Sequence, residues 1–490
     1  MRLVTITVFI GALGPTDAYA DAPTYHRDVA TIVQARCQSC HAPGQIGPFT
    51  LQTYADAKRW SATIAEVVGE GRMPPWHANP THGRFRNDRS LNAEQKRTLL
   101  AWIEAGCPEG EAFPGAKAEA AAVLTTLTNP DAVFMMDRDY LVKAEGTLPY
   151  QIFVVPTGLT EDKWVSAIEV RPGAREVVHH ILIFAIADDG RSLREAIVDG
   201  GAGGGQFASY VPGDSATFFP KGMGKKLPAG ARLLFQVHYT PIGKAVSDRT
   251  SIAVKYGDGR LIQEVRTKGI NQRMIRIAPG ASNHEVRSSF TFREDATLLS
   301  MWPHMHLRGK DFRFTATFPD GRSEVLLDVP KFDFNWQTTY ELQAPRPMPS
   351  GTRIDCVAHF DNSAENPNNP DPKVTVRWGP QTVDEMMIGY IDYVADGPAS
   401  LQRRVGAERL EGSFEALRGR FGGDRPIAER VERLFQFYDK DGDGLVKKDE
   451  VPNANLFERL DRDGDGAITK DEMRLVLEAM DRNTTKKKDQ

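Results

Sequence analysis

The segment "WPHMHLRGK" (302–310) sets His304 and His306 two residues apart. In an extended strand that spacing points both imidazoles out of one face, a geometry that can chelate a metal. Three further segments carry ligands of the same kind: "EVVHHILIF" with His179 and His180, "LLFQVHYTP" with His238, and "VDEMMIGYIDY" with Met386. Imidazole suits copper, zinc and iron, whereas a thioether favours soft Cu(I) and offers little to zinc. His304, His306 and Met386 therefore read as a copper site that cycles through Cu(I), and His179, His180 and His238 as a three-histidine copper site. Adjacent His179 and His180 face opposite ways in a flat strand, so both reach one metal only if the strand bulges or ends there, or if the rings use different nitrogens. These motifs use five of the eleven histidines; His26, His77, His82, His284 and His359 have no comparable setting.

A different chemistry lies near the start. "CQSCH" is Cys37-x-x-Cys40-His41, two thiols spaced to form thioethers with a haem and a following imidazole to ligate its iron. A redox dithiol has no need of the histidine, and the chain has no second Cys pair to complete a zinc site. Downstream, "GRMPPW" places Met73 in a Pro-rich loop ahead of a helix. This layout, over about residues 22–110, resembles the class I cytochromes c, in which a loop methionine is the axial ligand. The resemblance implies an α-helical cytochrome c domain with Met73 as sixth ligand, His77 and His82 being the alternatives. A Met/His-ligated haem moves single electrons and does no chemistry on a substrate itself.

Toward the other end, "DKDGDGLVKKDE" (439–450) and "DRDGDGAITKDE" (461–472) repeat one twelve-residue pattern. Asp439, Asp441, Asp443 and Glu450 in the first, and Asp461, Asp463, Asp465 and Glu472 in the second, supply hard oxygens for calcium. The backbone carbonyls of Leu445 and Ala467 sit at the seventh position, and Thr469 at the ninth. The two segments resemble paired EF-hands over about residues 428–482. Lys447, at the ninth position of the first loop, cannot ligate and lowers its negative charge. In an exported protein this calcium reads as structural.

The elements that must position these residues follow from the wider pattern. The chain of 490 residues is too long for one core, so three or four domains are expected. Residues 1–20 have one early Arg, a short apolar run and Ala-Tyr-Ala, as in a secretory signal. No later segment has about 18 unbroken apolar residues. The mature protein is therefore expected to be periplasmic or secreted, with no membrane span. Formal charge is −4, from 61 basic and 65 acidic residues, which gives no reason to expect nucleic acid. Four cysteines, two of them in one motif, do not make a disulfide framework. Helices are expected over 24–36 and 92–105, then a small-residue linker. From about 130 to 400 short β-rich runs alternate with Pro, Gly, Asn and Asp clusters, the pattern of β-sandwiches. After about 400 the chain turns helical and charged. The expected architecture is multidomain: a signal peptide (1–20), an α-helical cytochrome c domain (22–115), two all-β, jelly-roll-like sandwich domains (130–275 and 276–400) and an α-helical EF-hand pair (428–482).

The order HH…QVHY…HxHLxGK…DEM, with "FPKGMG" before "QVHY" and a Tyr four residues after Met386, resembles the copper type II, ascorbate-dependent monooxygenases, which include the peptide α-hydroxylating and dopamine β-hydroxylating enzymes. The resemblance covers about residues 130–400. It implies that two β-sandwich domains each carry one copper, that His179, His180 and His238 bind the electron-transfer copper, and that His304, His306 and Met386 bind the copper that activates O2. Tyr390 falls where that family has an active-site tyrosine. Ascorbate is the family's reductant. The chain departs from the family in two places. Cys356 sits where the family has a bridged Cys, but the partner position holds Met387. The family's peptide-gripping Arg, two residues before His304, is Trp302, so a peptide C-terminus is a poor expectation. The aromatics of "FDFNW" (332–336) suit an apolar or aromatic substrate, or simply a core.

Inserting one oxygen atom into a C–H bond while making water takes two external electrons, one per copper. The reading is an exported monooxygenase acting on a small molecule, with the attached haem as electron inlet from a periplasmic donor. The alternative is a non-catalytic periplasmic copper and haem protein for electron transfer or copper handling.

Overall fold

The computed structural model describes residues 22–112, 126–146, 148–187, 206–257, 263–395, 426–439, 441, 443–447, 450–451, 457, 466–474 and 477. The signal-like segment, most of the linker and Asp461, Asp463 and Asp465 lie outside them. The chain divides into two compact units, residues 1–400 and 401–490.

The first unit begins with a π-helical turn, Tyr25–Val29, running into α1 (Ala30–Arg36), which ends at Cys37. Then come α2 (Tyr54–Arg59), α3 (Ser61–Gly69) and α4 (Ala93–Glu104). Asn92 caps α4 in a capping box with Gln95. Tyr25, Val33, Leu99 and Trp102 make the small core of this part.

The first half of the β region holds β1 (Ala132–Met135), β2 (Tyr140–Val142), β3 (Gln151–Pro156), β4 (Lys163–Arg171), β5 (Val178–Ile186) and β6 (Gln206–Tyr210). It continues with β7 (Thr217–Phe218), β8 (Met223–Leu227), β9 (Arg232–Tyr239), β10 (Val246–Asp248) and β11 (Ser251–Tyr256). The second half holds β12 (Gln263–Asn271), β13 (Arg276–Ile277), β14 (His284–Thr291), β15 (Ala296–His304) and β16 (Gly309–Thr317). After these come β17 (Ser323–Val329), β18 (Tyr340–Met348), β19 (Arg353–Phe360), β20 (Val376–Arg377) and β21 (Ile388–Ala395). One nine-stranded sheet, β1-β11-β4-β8-β12-β21-β15-β18 with β7 beside β4, runs through both halves. They join where β8 and β12 pair in parallel. Against it pack two four-stranded sheets, β3-β9-β5-β6 in the first half and β14-β19-β16-β17 in the second.

This corrects the expected architecture. Among the described residues strand accounts for 38% and helix for 15%, in six short helices, so what is described is mainly β-sheet and contains no helical cytochrome c domain. The helix-forming runs near the start are cut short by Pro43, Gly44, Gly47, Pro48, Pro74 and Pro75. The stretch after them does not close a helical domain. It straps onto the β region instead: the Arg86 amide donates to the Glu341 carbonyl (2.9 Å), the Gln343 amide to the Arg84 carbonyl (2.9 Å), and Trp76 packs on Tyr340 at 4.9 Å. Nor are the two β halves separate sandwiches, because the nine-stranded sheet is continuous between them.

Side-chain alternation explains the joint. Along β5, Ile181 and Ile183 enter the first half's core, while Leu182, Phe184 and Ile186 join a cluster with Trp302, Ile388 and Tyr390 from the second. Burying each such side chain contributes about 1.5–3 kcal/mol. His180 shares the face of Leu182, His238 that of Leu234, and His304 that of Trp302. All three therefore face this joint.

In the second unit, α5 (Ile427–Tyr438) precedes β22 (Val446–Lys447), which pairs with β23 (Ala467–Ile468). Among the described residues no helix is long and apolar enough to cross a membrane.

Candidate metal centres

The strand carrying His179 and His180 does bulge. Val178 pairs with Tyr239 and His180 with His238, leaving His179 as the extra residue. One ring nitrogen from each of His179, His180 and His238 lies within 4.8 Å of the others, a span that a metal with nitrogen bonds of about 2 Å closes by small shifts. His179 Nδ1 and His180 Nδ1 stand 3.0 Å apart. His180 Nε2 and His238 Nδ1 are buried and without a hydrogen-bond partner. His179 Nε2 meets Asn335 Oδ1 at 3.0 Å, from the second half, which leaves Nδ1 to ligate.

His304 and His306 come together differently from the strand expectation. The strand ends at His304, and His306 lies in the following turn. Glu385, fully buried, causes this: its carboxylate accepts the backbone N–H of His306 (2.9 Å) and of Arg308 (2.7 Å), pulling the chain off the ladder. The rings still stand 5.3 Å apart at 87°. His304 Nδ1 is held by Gln337 Oε1 at 2.5 Å and His306 Nδ1 by the Asp384 carbonyl at 3.2 Å. Each donates its Nδ1–H, the arrangement that orients metal-ligating imidazoles. Met386 follows Glu385, donates its amide to Glu385 Oε2 (3.3 Å) and packs in the cluster of Trp302 and Tyr390. Tyr390 is buried, stacks on Trp302 at 4.8 Å and lies 6.4 Å from the His304 ring.

Phe334 ties the two groups together. Its ring centroid is 5.7 Å from His179, 6.1 Å from His180, 5.9 Å from His238 and 6.3 Å from His306. Tyr150 adds an aromatic wall, 5.6 Å from His180 and 5.0 Å from His238. Burial holds these imidazoles neutral, with their lone pairs available. It lowers His304 to about 4 and His306 to about 3, and His238 falls to about 3 for the same reason. His180 is pushed well below its ordinary value by burial and by its histidine neighbours. Burial pushes the Glu385 carboxyl up to about 8, against the pull of its N–H donors. Asn335, Gln337, Tyr150 and Glu385 carry no local signal marking them; Asn335 and Gln337 meet their histidines 156 and 33 residues away.

At "CQSCH", His41 Nδ1 donates to the Phe49 carbonyl (3.0 Å), leaving Nε2 free, and its ring packs on Phe49, itself stacked on Trp60 at 4.1 Å. A Cβ on Gly47 would lie 2.7 Å from the Cys40 carbonyl oxygen and 2.8 Å from His41 Nδ1, so only glycine fits. Burial pushes the Cys37 thiol up to about 12 and the Cys40 thiol upward as well, and it lowers His41. Met73 is half-buried, with its amide donating to the Val67 carbonyl at 3.1 Å. A Cβ on Gly213, between β6 and β7, would lie 3.0 Å from Cys40 Sγ. Arg89 locks that contact through Asp214 (2.6 Å) and the Pro212 carbonyl (3.0 Å). His77 and His82 both lie on the strap. All four cysteines are free.

In the second unit, Asp439, Asp441 and Asp443 bring their carboxylates within 4.8 Å of one another. Glu450 closes the loop, accepting the amides of Lys447 (2.8 Å) and Asp441 (3.3 Å), and Leu445 donates its amide to Asp443 (2.9 Å). Lys447 Nζ reaches Asp441 at 2.9 Å and also bonds Asp443. In the second loop Thr469 bonds Glu472 through its amide (2.8 Å) and hydroxyl (2.9 Å), and Ala467 lies in β23.

An EF-hand family model matches residues 453–477, and this segment is an EF-hand, the type of loop that binds calcium. No curated protein matches the chain. Among solved structures, the chain is similar to the major capsid protein of bacteriophage PM2 at 9% identity and a TM-score of 0.23, over 53% of this chain and 97% of that one. It is also similar to a putative secreted protein from Eubacterium rectale at 10% identity and a TM-score of 0.17, over 50% and 69%. Allantoicase from Saccharomyces cerevisiae gives 8% identity and a TM-score of 0.15, over 46% and 79%. At these scores the likenesses carry no argument.

Proposed function

We propose that the chain is an exported copper-dependent monooxygenase that hydroxylates a C–H bond of a small molecule. The observation that carries the reading is the pairing of two unlike imidazole groups about one ring. His179, His180 and His238 converge, with His180 Nε2 and His238 Nδ1 buried and unpartnered, and the His304 and His306 rings stand 5.3 Å apart with Met386 in the adjoining Trp302–Tyr390 cluster and Phe334 between the groups. The donor set fits copper: neutral imidazoles at both positions and a thioether at one. Bound there, copper would supply one-electron redox chemistry and O2 activation.

The chain's own residues prepare those positions. Asn335, Gln337 and the Asp384 carbonyl fix which nitrogen each ring offers. Glu385 sets the turn that carries His306 and holds Met386 next to it. The joint between the halves buries Trp302, Ile388 and Tyr390. Cys37, Cys40 and His41 would hold a c-type haem, with Met73, His77 or His82 completing its ligation. Held by Cys40 close to Gly213, such a haem would supply one-electron transfer to the β region. The Asp-rich loops of the second unit would bind calcium.

The test is anaerobic reduction followed by exposure to 18O2 with a panel of C–H substrates. Labelled alcohol is expected. Reoxidation without label across the panel would favour a copper and haem electron carrier instead.

A further inference from the structure

A cavity of about 370 Å³ lies between the strap and the two β halves. Trp302 and Tyr390 line it, and none of the histidines does. Ser39 of "CQSCH" and the strap residues Arg86–Arg89 form one wall, and strand β6 forms another. Its volume is that of an ordinary small-molecule pocket.

Two polar groups in its lining are buried and unsatisfied. The Gln206 side-chain oxygen and the Trp302 indole nitrogen have no hydrogen-bond partner among the described residues, although the residues are only 7% and 4% exposed. Buried polar atoms are rarely left unpaired, because each costs about 1–3 kcal/mol. One is an acceptor and the other a donor. A hydroxyl serves both roles.

The charged groups of the cavity are matched among themselves. Arg86 pairs with Glu341, Arg89 with Asp214 at 2.6 Å, and Lys225 with Asp392 at 3.3 Å, while Asp88 is the one further acid. No cation is left over to neutralise an anionic ligand, and burying an unpaired charge there is costly. Phe207, Phe219, Trp302 and Tyr390 supply aromatic surface.

We propose that this cavity binds an uncharged, hydroxylated aromatic molecule of one or two rings, its hydroxyl pairing with the Gln206 oxygen or the Trp302 indole. The inference stands on the cavity and its two unpaired groups, and it needs neither copper nor haem.

Calorimetric titration of the full chain with phenol and with catechol tests it, with benzoate and toluene as probes lacking the neutral hydroxyl. One phenol or catechol per chain is expected, with benzoate and toluene binding weakly. Trp302→Phe or Gln206→Leu should weaken binding roughly three- to tenfold, the loss of one neutral hydrogen bond. The proposal is overturned if neither phenol binds, if benzoate binds as tightly, or if both variants stay folded and bind unchanged. Should the variants not fold, the structure of the native chain soaked with catechol decides. Density at Gln206 or Trp302 supports the site, and density elsewhere sinks it.

Discussion

Asn335 Oδ1 lies 3.0 Å from His179 Nε2, although 156 residues separate them. A residue of the second β half thus sets the tautomer of a histidine in the first. Two positions further on, Gln337 does the same for His304. One short segment therefore orients a ring in each imidazole group. Asn335→Leu should weaken copper binding at the three-histidine group by 10–100-fold, and Gln337→Leu should do so at the other. Competition with a chelator while the two coppers are followed separately checks this. Equal losses at both sites from either variant would contradict the assignment.

Met386→Ile keeps the bulk that packs on Trp302 and Tyr390 but removes the thioether. Affinity for Cu(I) at His304 and His306 should fall while copper at His179, His180 and His238 is kept, and oxygenation should cease. Full turnover in this variant would remove Met386 from the site.

Gly47→Ala would press a methyl group against the Cys40 carbonyl and His41 Nδ1. The fold has to shift there, at a cost of about 1–3 kcal/mol. Covalent haem content should drop even though Cys37, Cys40 and His41 are intact. The pyridine haemochrome spectrum of purified protein reads this directly.

In the metal-free chain, His238, His304 and His306 are held near 3 to 4, below the 6.5 of an unfolded imidazole. Between those values the unfolded state binds more protons than the native one. Their contribution is therefore complete above about pH 6.5 and is lost as pH falls toward 3. Glu385, raised to about 8, acts the other way between 4.5 and 8, as one group against three. The melting temperature of the metal-free protein should fall from pH 6.5 to 4.5, and replacing His304 with Gln should flatten that fall.

Lys447 sits in the first calcium loop, with its ammonium on Asp441 and Asp443, where an ion would go. Lys447→Ser removes the competitor and adds a ninth-position oxygen. Calcium affinity at that loop should rise by roughly tenfold, since ligand charge tunes such sites. Titration with calcium monitored by calorimetry would reveal the change.

The candidate ligand residues are legible because their chemistry is local: "CQSCH", "HMH" and the Asp-rich loops stand out by type and spacing. The bulge at His179 is one of the three devices the adjacent imidazoles call for, beside a strand end or the use of different ring nitrogens. What was not legible depends on contacts distant in sequence. "FDFNW" reads as core or substrate wall, yet Phe334 and Asn335 join the two imidazole groups. His306 looked like a strand residue until Glu385, about eighty positions later, drew its amide off the ladder. The strap hid the architecture too. Residues 76–90 carry no strand pattern, yet they add backbone hydrogen bonds along β18 and leave no free-standing helical domain.

The parallel pairing of β8 with β12 makes one backbone ladder of both β halves. Separating the imidazole groups would mean tearing main-chain hydrogen bonds, as well as parting the apolar side chains at the joint. The spacing of the two groups, which electrons would cross if copper filled both, is therefore a constant of the fold, set like the gap in a casting rather than by a hinge. Residues 126–395 should accordingly melt in a single calorimetric step, with the transfer rate between the two groups insensitive to solvent viscosity.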